Sequence, residues 1–305
     1  MAISAQDVKQ LKEMTNCGMM DCKRALEETG GDMDAAVKYL REKGLAKATK
    51  KAGRIAAEGL VLTKIDSEKK IGVVVEVNSE TDFAAKSERF VEFVENVADT
   101  ILNNDAADVD ALKECKAFGT DEKLADSLVE KIATIGENIQ IRRFAKLEGD
   151  LFSYVHDGGG SIIGTILKLE ADDASDSAVA ECAKNLLLQI TASAPMYVRK
   201  DEVPQAVIEA EKDIQLNAVK NENEAKPKPQ NVLEKIVEGR IRKFLEEICL
   251  FDQPYVKNPE MTVEKYVESV GKNIKVISFV RYEKGEGITK KEDNFADEVA
   301  SMINN

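Results

Sequence analysis

A single histidine, His156, and five cysteines, Cys17, Cys22, Cys115, Cys182 and Cys249, are the residues best suited to nucleophilic or metal chemistry. A cysteine beside a histidine makes a thiolate nucleophile, and clustered thiols and imidazoles hold zinc. The spacing supports neither. No two cysteines form a CxxC pair, no His/Cys set has metal-ligand spacing, and no local catalytic signature surrounds a cysteine. A phosphate cradle is also missing: GxxxxGKS/T does not occur, and GEG at 285–287 lacks a Walker lysine. Carboxylates are numerous, but none stands out as a catalytic pair. The chain reads as a protein that does no bond-making chemistry: not an enzyme, with no metal site and no cofactor. His156 reads as a structural or interface histidine. A cysteine–histidine enzyme requires a fold that brings His156 within hydrogen-bond reach of a thiol.

The stretch best able to present a side chain to another molecule is GVVVEVNSETDFA, Gly72 to Ala84. Val73, Val74, Val75 and Val77 are β-branched and predict a strand. Asn78, Ser79 and Glu80 break the apolar run. Asp82 is a short acidic side chain that can cap the helix predicted to follow. Strand end and helix start then hold Thr81, Asp82 and Phe83 in a tight corner. From the residues alone, the plain reading of Asp82-Phe83 is a helix cap and a core phenylalanine. The alternative is a rigidly mounted probe.

The elements around this corner follow from periodicity. Residues 4–43 read as three short helices: Ser4 caps the first, the second runs from about Met19 to Glu28, and Asp32 caps the third, which stops at Gly44. Adjacent residues on a helix point about 100° apart, so a bundle this thin does not bury both Met19 and Met20. Residues 43–54, with five basic residues and no acid, read as a partly helical linker. No aromatic is interleaved there for stacking on RNA bases.

Strands are expected after Gly59 and up to Asn78. Phe90, Val94, Val97 and Ile101 then mark one helix, and Leu124, Leu128, Ile132 and Ile135 another, started by Thr120. FSYVHDGGGSIIGTILKLE reads as a strand, a Gly-rich turn and a strand, followed by a helix with Leu186, Leu187 and Ile190. Setting Gly164 beside Gly72 aligns GTILKLEADDAS with GVVVEVNSETDF, which predicts two related halves, each a small sheet backed by helices. The second half has Ser175 where the first has Phe83. Two helices either side of KPKPQ predict an antiparallel hairpin within 203–248. Its thin stripe of Val207, Ala210 and Ile214 favours a protruding hairpin that pairs with another copy. IKVISFVRYEK is one more strand, and residues 293–303 a last helix with Phe295, Val299 and Met302 on one face.

Composition bounds the partners. The chain has 305 residues, 43% of them apolar, enough for two or three units with real cores. The net charge of −13 argues against direct nucleic-acid binding, which needs basic patches. No segment approaches the roughly 18 apolar residues of a membrane span. The segment MAISAQDVKQLKEM lacks the apolar core of a signal peptide, so reduced thiols and a cytoplasmic location are expected.

VNSETDF resembles the strand–turn–helix signature of the elongation factor Ts family. TNCGMMDCKRAL with GGDMDAAVKYLREKG resembles that family's N-terminal domain, itself similar to ubiquitin-associated three-helix domains. KKAGRIAAEGL, IGENIQIRR, VEGRIRKF, DQPYV and GEGI match in the same order. One departure lies in LLQITA, where Gln189 stands and the family often has a histidine. The resemblance implies an α+β architecture with four parts. These are a ubiquitin-associated-like domain and basic linker at 1–54, and a core N-subdomain at 55–145. A core C-subdomain follows at 146–284, with the hairpin inserted at about 200–230, and then a C-terminal helical module at 285–305. It implies a guanine nucleotide exchange factor that binds the translation GTPase elongation factor Tu, GDP-bound and nucleotide-free, and drives out GDP. Thr81, Asp82, Phe83 and Ala84 would dislocate the partner's Mg²⁺. Met19, Met20, Asp82, Phe83, His156, Gly159 and Phe295 would bind the partner, and the hairpin would serve self-association. The rival reading is a ubiquitin-like adaptor or scaffold, which would lose all binding on deletion of residues 1–54.

Overall fold

The computed structural model describes residues 3–15, 17–225 and 229–289. The last helix expected at 293–303, with Phe295, lies outside the described residues. The chain divides into two compact units: residues 1–62, 75–144 and 282–305, and residues 63–74 and 145–281.

The first unit opens with α1 (Ala5–Thr15), α2 (Met19–Glu28) and α3 (Met33–Lys51). Ser4 Oγ accepts from the Asp7 amide and Asp32 Oδ1 from the Ala35 amide, so both expected caps are formed. Val8, Leu11, Cys22, Ala25, Leu26, Ala36 and Leu40 make the small bundle core. Gly44 does not stop the third helix. α3 continues through it to Lys51, and a Cβ at Gly44 would lie 3.4 Å from Val129 Cγ1 and 3.7 Å from Ala133 Cβ. The glycine faces α7 inside a continuous helix and does not terminate it.

β1 (Glu58–Asp66) and β2 (Ile71–Ser79) follow. Gly72 to Ser79 are all buried, as expected of a central strand covered on both faces. A single turn, α4 (Asp82–Ala85), precedes α5 (Glu88–Leu102), whose Phe90, Phe93, Val94, Val97 and Ile101 are buried. A short α6 (Val109–Glu114) leads to α7 (Leu124–Ile135), whose N-cap is Lys123 and not Thr120. Thr120 instead closes the preceding turn through its hydroxyl and the Ala117 carbonyl. β3 (Gln140–Glu148) completes a three-stranded sheet in the order β1-β2-β3.

The second unit contains the hairpin β4 (Leu151–Gly158) and β5 (Ser161–Glu170), antiparallel and in register from Leu151↔Lys168 to Gly158↔Ser161. α8 (Ser177–Ser193) packs on it, and α9 (Gln205–Ala225) and α10 (Gln230–Ile248) form the expected helical pair, joined by the Arg240–Glu222 ion pair. β6 (Pro254–Tyr255), β7 (Asn258–Thr262) and α11 (Val263–Val270) were not legible as a motif; β8 (Lys275–Glu283) joins β5 in the sheet order β4-β5-β8. The core gathers around α8, with Val179, Leu186 and Ile190 against Leu167, Leu169, Phe251, Val263 and Val276. Each half therefore carries a three-stranded sheet with a long helix after its second strand, the repeat predicted from GVVVEVN and GTILKLE. The mixed helix-and-sheet architecture is α+β.

Candidate functional site

The corner after β2 is built from its polar residues. Ser79 Oγ donates to the Thr81 carbonyl at 3.0 Å, which folds the backbone sharply at the strand end. Thr81, not Asp82, is the helix cap: its hydroxyl accepts from the Ala84 amide at 3.2 Å while its own φ of −126° stays extended. Both residues are capping types, and the one-residue difference decides which side chains point outward. Asp82 is the first helical residue. Its carboxylate meets Lys86 Nζ at 2.8 Å, and that bond holds its pKa below the usual carboxylate value.

Phe83 follows, 84% exposed. Burying a phenylalanine is worth about 1.5–3 kcal/mol, and the Phe83 ring forgoes that burial within its own chain. The core-phenylalanine reading is thus wrong for this position. Ala84 and Ala85 are the residues of the turn that enter the core.

The loop between α7 and β3 braces the corner. Gly136 ends α7 in the left-handed region at φ +90°, and Glu137 comes next. Glu137 Oε2 accepts from the Thr81 amide at 2.9 Å and Oε1 from the Thr81 hydroxyl at 2.6 Å. Its neighbour Asn138 donates its amide to Glu80 Oε1 at 2.6 Å and its side-chain nitrogen to the Arg54 carbonyl at 2.7 Å. Sequence reasoning missed this brace. Its only signal was an acid just past the glycine that ends α7, with a separation of 56 residues from its partner.

A second polar cluster lies deeper in the same unit. Glu76 is wholly buried in the middle of the valine run. Burial drives its pKa up, but the Gly285 amide and the side chains of Arg142, Asn78 and Arg143 outweigh burial, and the net shift is downward. The bonds are 2.8 Å from the Gly285 amide, 2.9 Å from Arg142 Nη1 and 2.6 Å from Arg143 Nε. Arg143 also reaches the Glu283 carbonyl and the Glu286 carboxylate, and its guanidinium stacks on Tyr282 at 4.2 Å. The GEGI turn is therefore fastened to the sheet. Gly285 sits at φ +70°, and a Cβ there would come within 2.4 Å of the Ala57 carbonyl oxygen, so only glycine fits.

The remaining candidates among the described residues are surface residues. Met19 and Met20 open α2 and are both well exposed. His156 is exposed on β4, with its Nδ1 3.4 Å from the Tyr154 hydroxyl. Gly159 sits in the β4–β5 turn at φ +62°, also exposed. Gln189, by contrast, is buried and holds structure together: its amide nitrogen donates to the Pro254 carbonyl and Gln253 Oε1, and its oxygen accepts from the Val256 amide at 2.8 Å.

Four of the five thiols are poorly disposed to nucleophilic work. Burial pushes Cys182 and Cys249 up to about 11 and raises Cys17 and Cys22 as well, so the reactive thiolate is suppressed at neutral pH. Among the described residues no group of three or more His, Cys, Asp or Glu could hold a metal ion, and no helix is long and apolar enough to cross a membrane.

The family model described as Elongation factor TS matches residues 80–286. Elongation factor Ts of Clostridium kluyveri is 46% identical over 309 residues, covering 99% of each chain. That of Clostridium perfringens is 46% identical over 307 residues, covering 98% of this chain and 99% of its own. That of Clostridium novyi is 44% identical over 311 residues, with 99% of each covered. A family model over more than half of the chain and relatives of this identity over nearly its whole length show that the chain belongs to the elongation factor Ts family.

Proposed function

We propose that this chain is the guanine nucleotide exchange factor for elongation factor Tu in translation elongation, acting by binding and not by bond-making. The observation that carries the reading is Phe83, a large apolar ring exposed at the tip of a turn that is capped and braced by Thr81 and Glu137. Ordering a flexible loop on binding costs conformational entropy, and a preformed corner avoids that cost. The ring enters the nucleotide domain of elongation factor Tu beside its Mg²⁺ and phosphate site. Asp82, ionised at neutral pH, disturbs the metal's water shell, while Thr81 and Ala84 fix the turn. Mg²⁺ demands near-ideal octahedral geometry, so a small displacement of its surroundings weakens it.

Linkage supplies the rest. A factor that binds the nucleotide-free GTPase more tightly than the GDP-bound one weakens GDP binding by the same ratio. The exposed, adaptable Met19 and Met20 grip the nucleotide domain together with Phe295. His156 and Gly159 on the β4–β5 hairpin meet a different part of the partner. The helical pair α9–α10 serves contact with a second copy, the four-part division at residues 54, 145 and 284 is the working division of labour, and the protein acts in the cytoplasm.

GDP release from purified elongation factor Tu, followed by stopped flow with and without this protein, tests the reading. A large acceleration at substoichiometric factor is expected; an unchanged rate overturns it.

A further inference from the structure

The brace between Glu137 and Thr81 has more to it than a surface hydrogen bond. The two segments are tied reciprocally. Glu137 takes the amide of Thr81, and Glu80, one residue earlier, takes the amide of Asn138, one residue later. Each carboxylate thus satisfies a backbone N–H of the opposite segment, and neither segment can slide along the other without breaking both bonds. Arg54 is drawn in as well, through its carbonyl to Asn138 and its guanidinium to Glu80 at 3.5 Å.

Within this double clasp the Thr81 hydroxyl has two jobs that assist each other. It donates its proton to Glu137 Oε1 at 2.6 Å and accepts the Ala84 amide at 3.2 Å. Donation to an anion is the short, strong kind of hydrogen bond, and it makes the same oxygen a better acceptor. A threonine hydroxyl unanchored by a carboxylate can rotate its proton to other acceptors, and a single-turn helix such as α4 has no length from which to gain stability. We propose that Glu137 is a positioning residue for Phe83: it locks the Thr81 cap, so that the α4 turn presents the ring in one orientation. The proposal rests on the exchange reading for its consequence, but the locking itself concerns this chain alone.

Two measurements on the full chain decide it. The first is amide hydrogen exchange in Glu137→Ala. Exchange at Ala84 and Ala85 is expected to speed up by about tenfold or more while the amides of α5 stay protected, because local opening is set by local contacts. Unaltered exchange at Ala84 and Ala85 overturns the proposal. The second is GDP release from elongation factor Tu across factor concentrations. Glu137→Ala should lower the saturating rate by about fivefold or more with a less than about twofold change in half-saturating concentration, since a misdirected ring is lost at the barrier and not in the grip. Glu137→Gln, which keeps one acceptor oxygen, should fall between. In a Phe83→Ala background the Glu137→Ala change should shrink below about twofold, because positions that act through one another are not additive. An equal loss in both backgrounds overturns the proposal. Failure of the unaltered chain to speed release at all sinks the exchange reading instead, and hydrogen exchange at Ala84 and Ala85 then decides the locking by itself.

Discussion

Arg143 sets its Nε 2.6 Å from a Glu76 carboxylate that has no exposure to water at all. A buried anion is tolerable only when its lone pairs are taken up, and here the Gly285 amide, Asn78, Arg142 and Arg143 take them. Glu76→Gln keeps the shape but removes the charge that both guanidiniums face. It should destabilise the protein by about 3 kcal/mol, the lower end for breaking a buried pair, because the arginines keep some access to water. Urea unfolding measures it, and a change below about 1 kcal/mol would show that the cluster is merely tolerated.

The same carboxylate sets an acid limit. Its folded pKa is depressed below the ordinary 4.5, so its contribution is complete above that value and is lost as pH falls through the lower folded value. The melting temperature of the parent should fall in that window, and its advantage over Glu76→Gln should shrink as pH drops. A gap that stays constant through the window contradicts this assignment of the ionised group.

Phe83→Ala should be silent in stability and loud in function. An 84% exposed ring supports no packing, so the unfolding midpoint should shift by no more than about 0.5 kcal/mol. Loss of about 1.5–3 kcal/mol of buried apolar contact in the complex corresponds to GDP release slowed by about 10- to 150-fold. Unchanged stopped-flow rates would remove the ring from the mechanism.

Gln189→Leu should unfold the second unit more easily. The leucine fills the space but leaves the Val256 amide and the Gln253 side chain without the partners Gln189 provides. About 2 kcal/mol is expected for such orphaned groups in a buried setting. A leucine variant as stable as the parent in urea would mean that the loop after α10 repacks freely.

The long periodic elements were legible from the sequence because burial demands their pattern. The valine run of β2, the four-three-four spacing of α5 and the Gly-rich β4–β5 turn each encode their own structure locally. The repeat of sheet and helix was legible for the same reason. Short elements were not: α6, β6, β7 and α11 are too brief for a period to show. At the site, Thr81 and Asp82 are both capping types, with Asp the more favoured of the two. Thr81 caps and is bonded to Glu137, and at a separation of 56 residues that contact carries no local signal. Glu76 was visible as an acid inside an apolar run, but its meaning depends on Arg142, Arg143 and a glycine amide delivered from far along the chain. Gly44 misled because a helix-ending glycine and a helix-packing glycine look alike until the facing Val129 and Ala133 are known.

The uninterrupted course of α3 past Gly44 alters how the N-terminal bundle can move. Nineteen residues of helix make a strut about 28 Å long, clamped to α7 at Gly44 and by the Arg41–Asp126 ion pair. Asp21, next to Met20 at the start of α2, bonds Lys47 three residues past Gly44, so the two methionines are anchored beside this clamp and not strung on a tether.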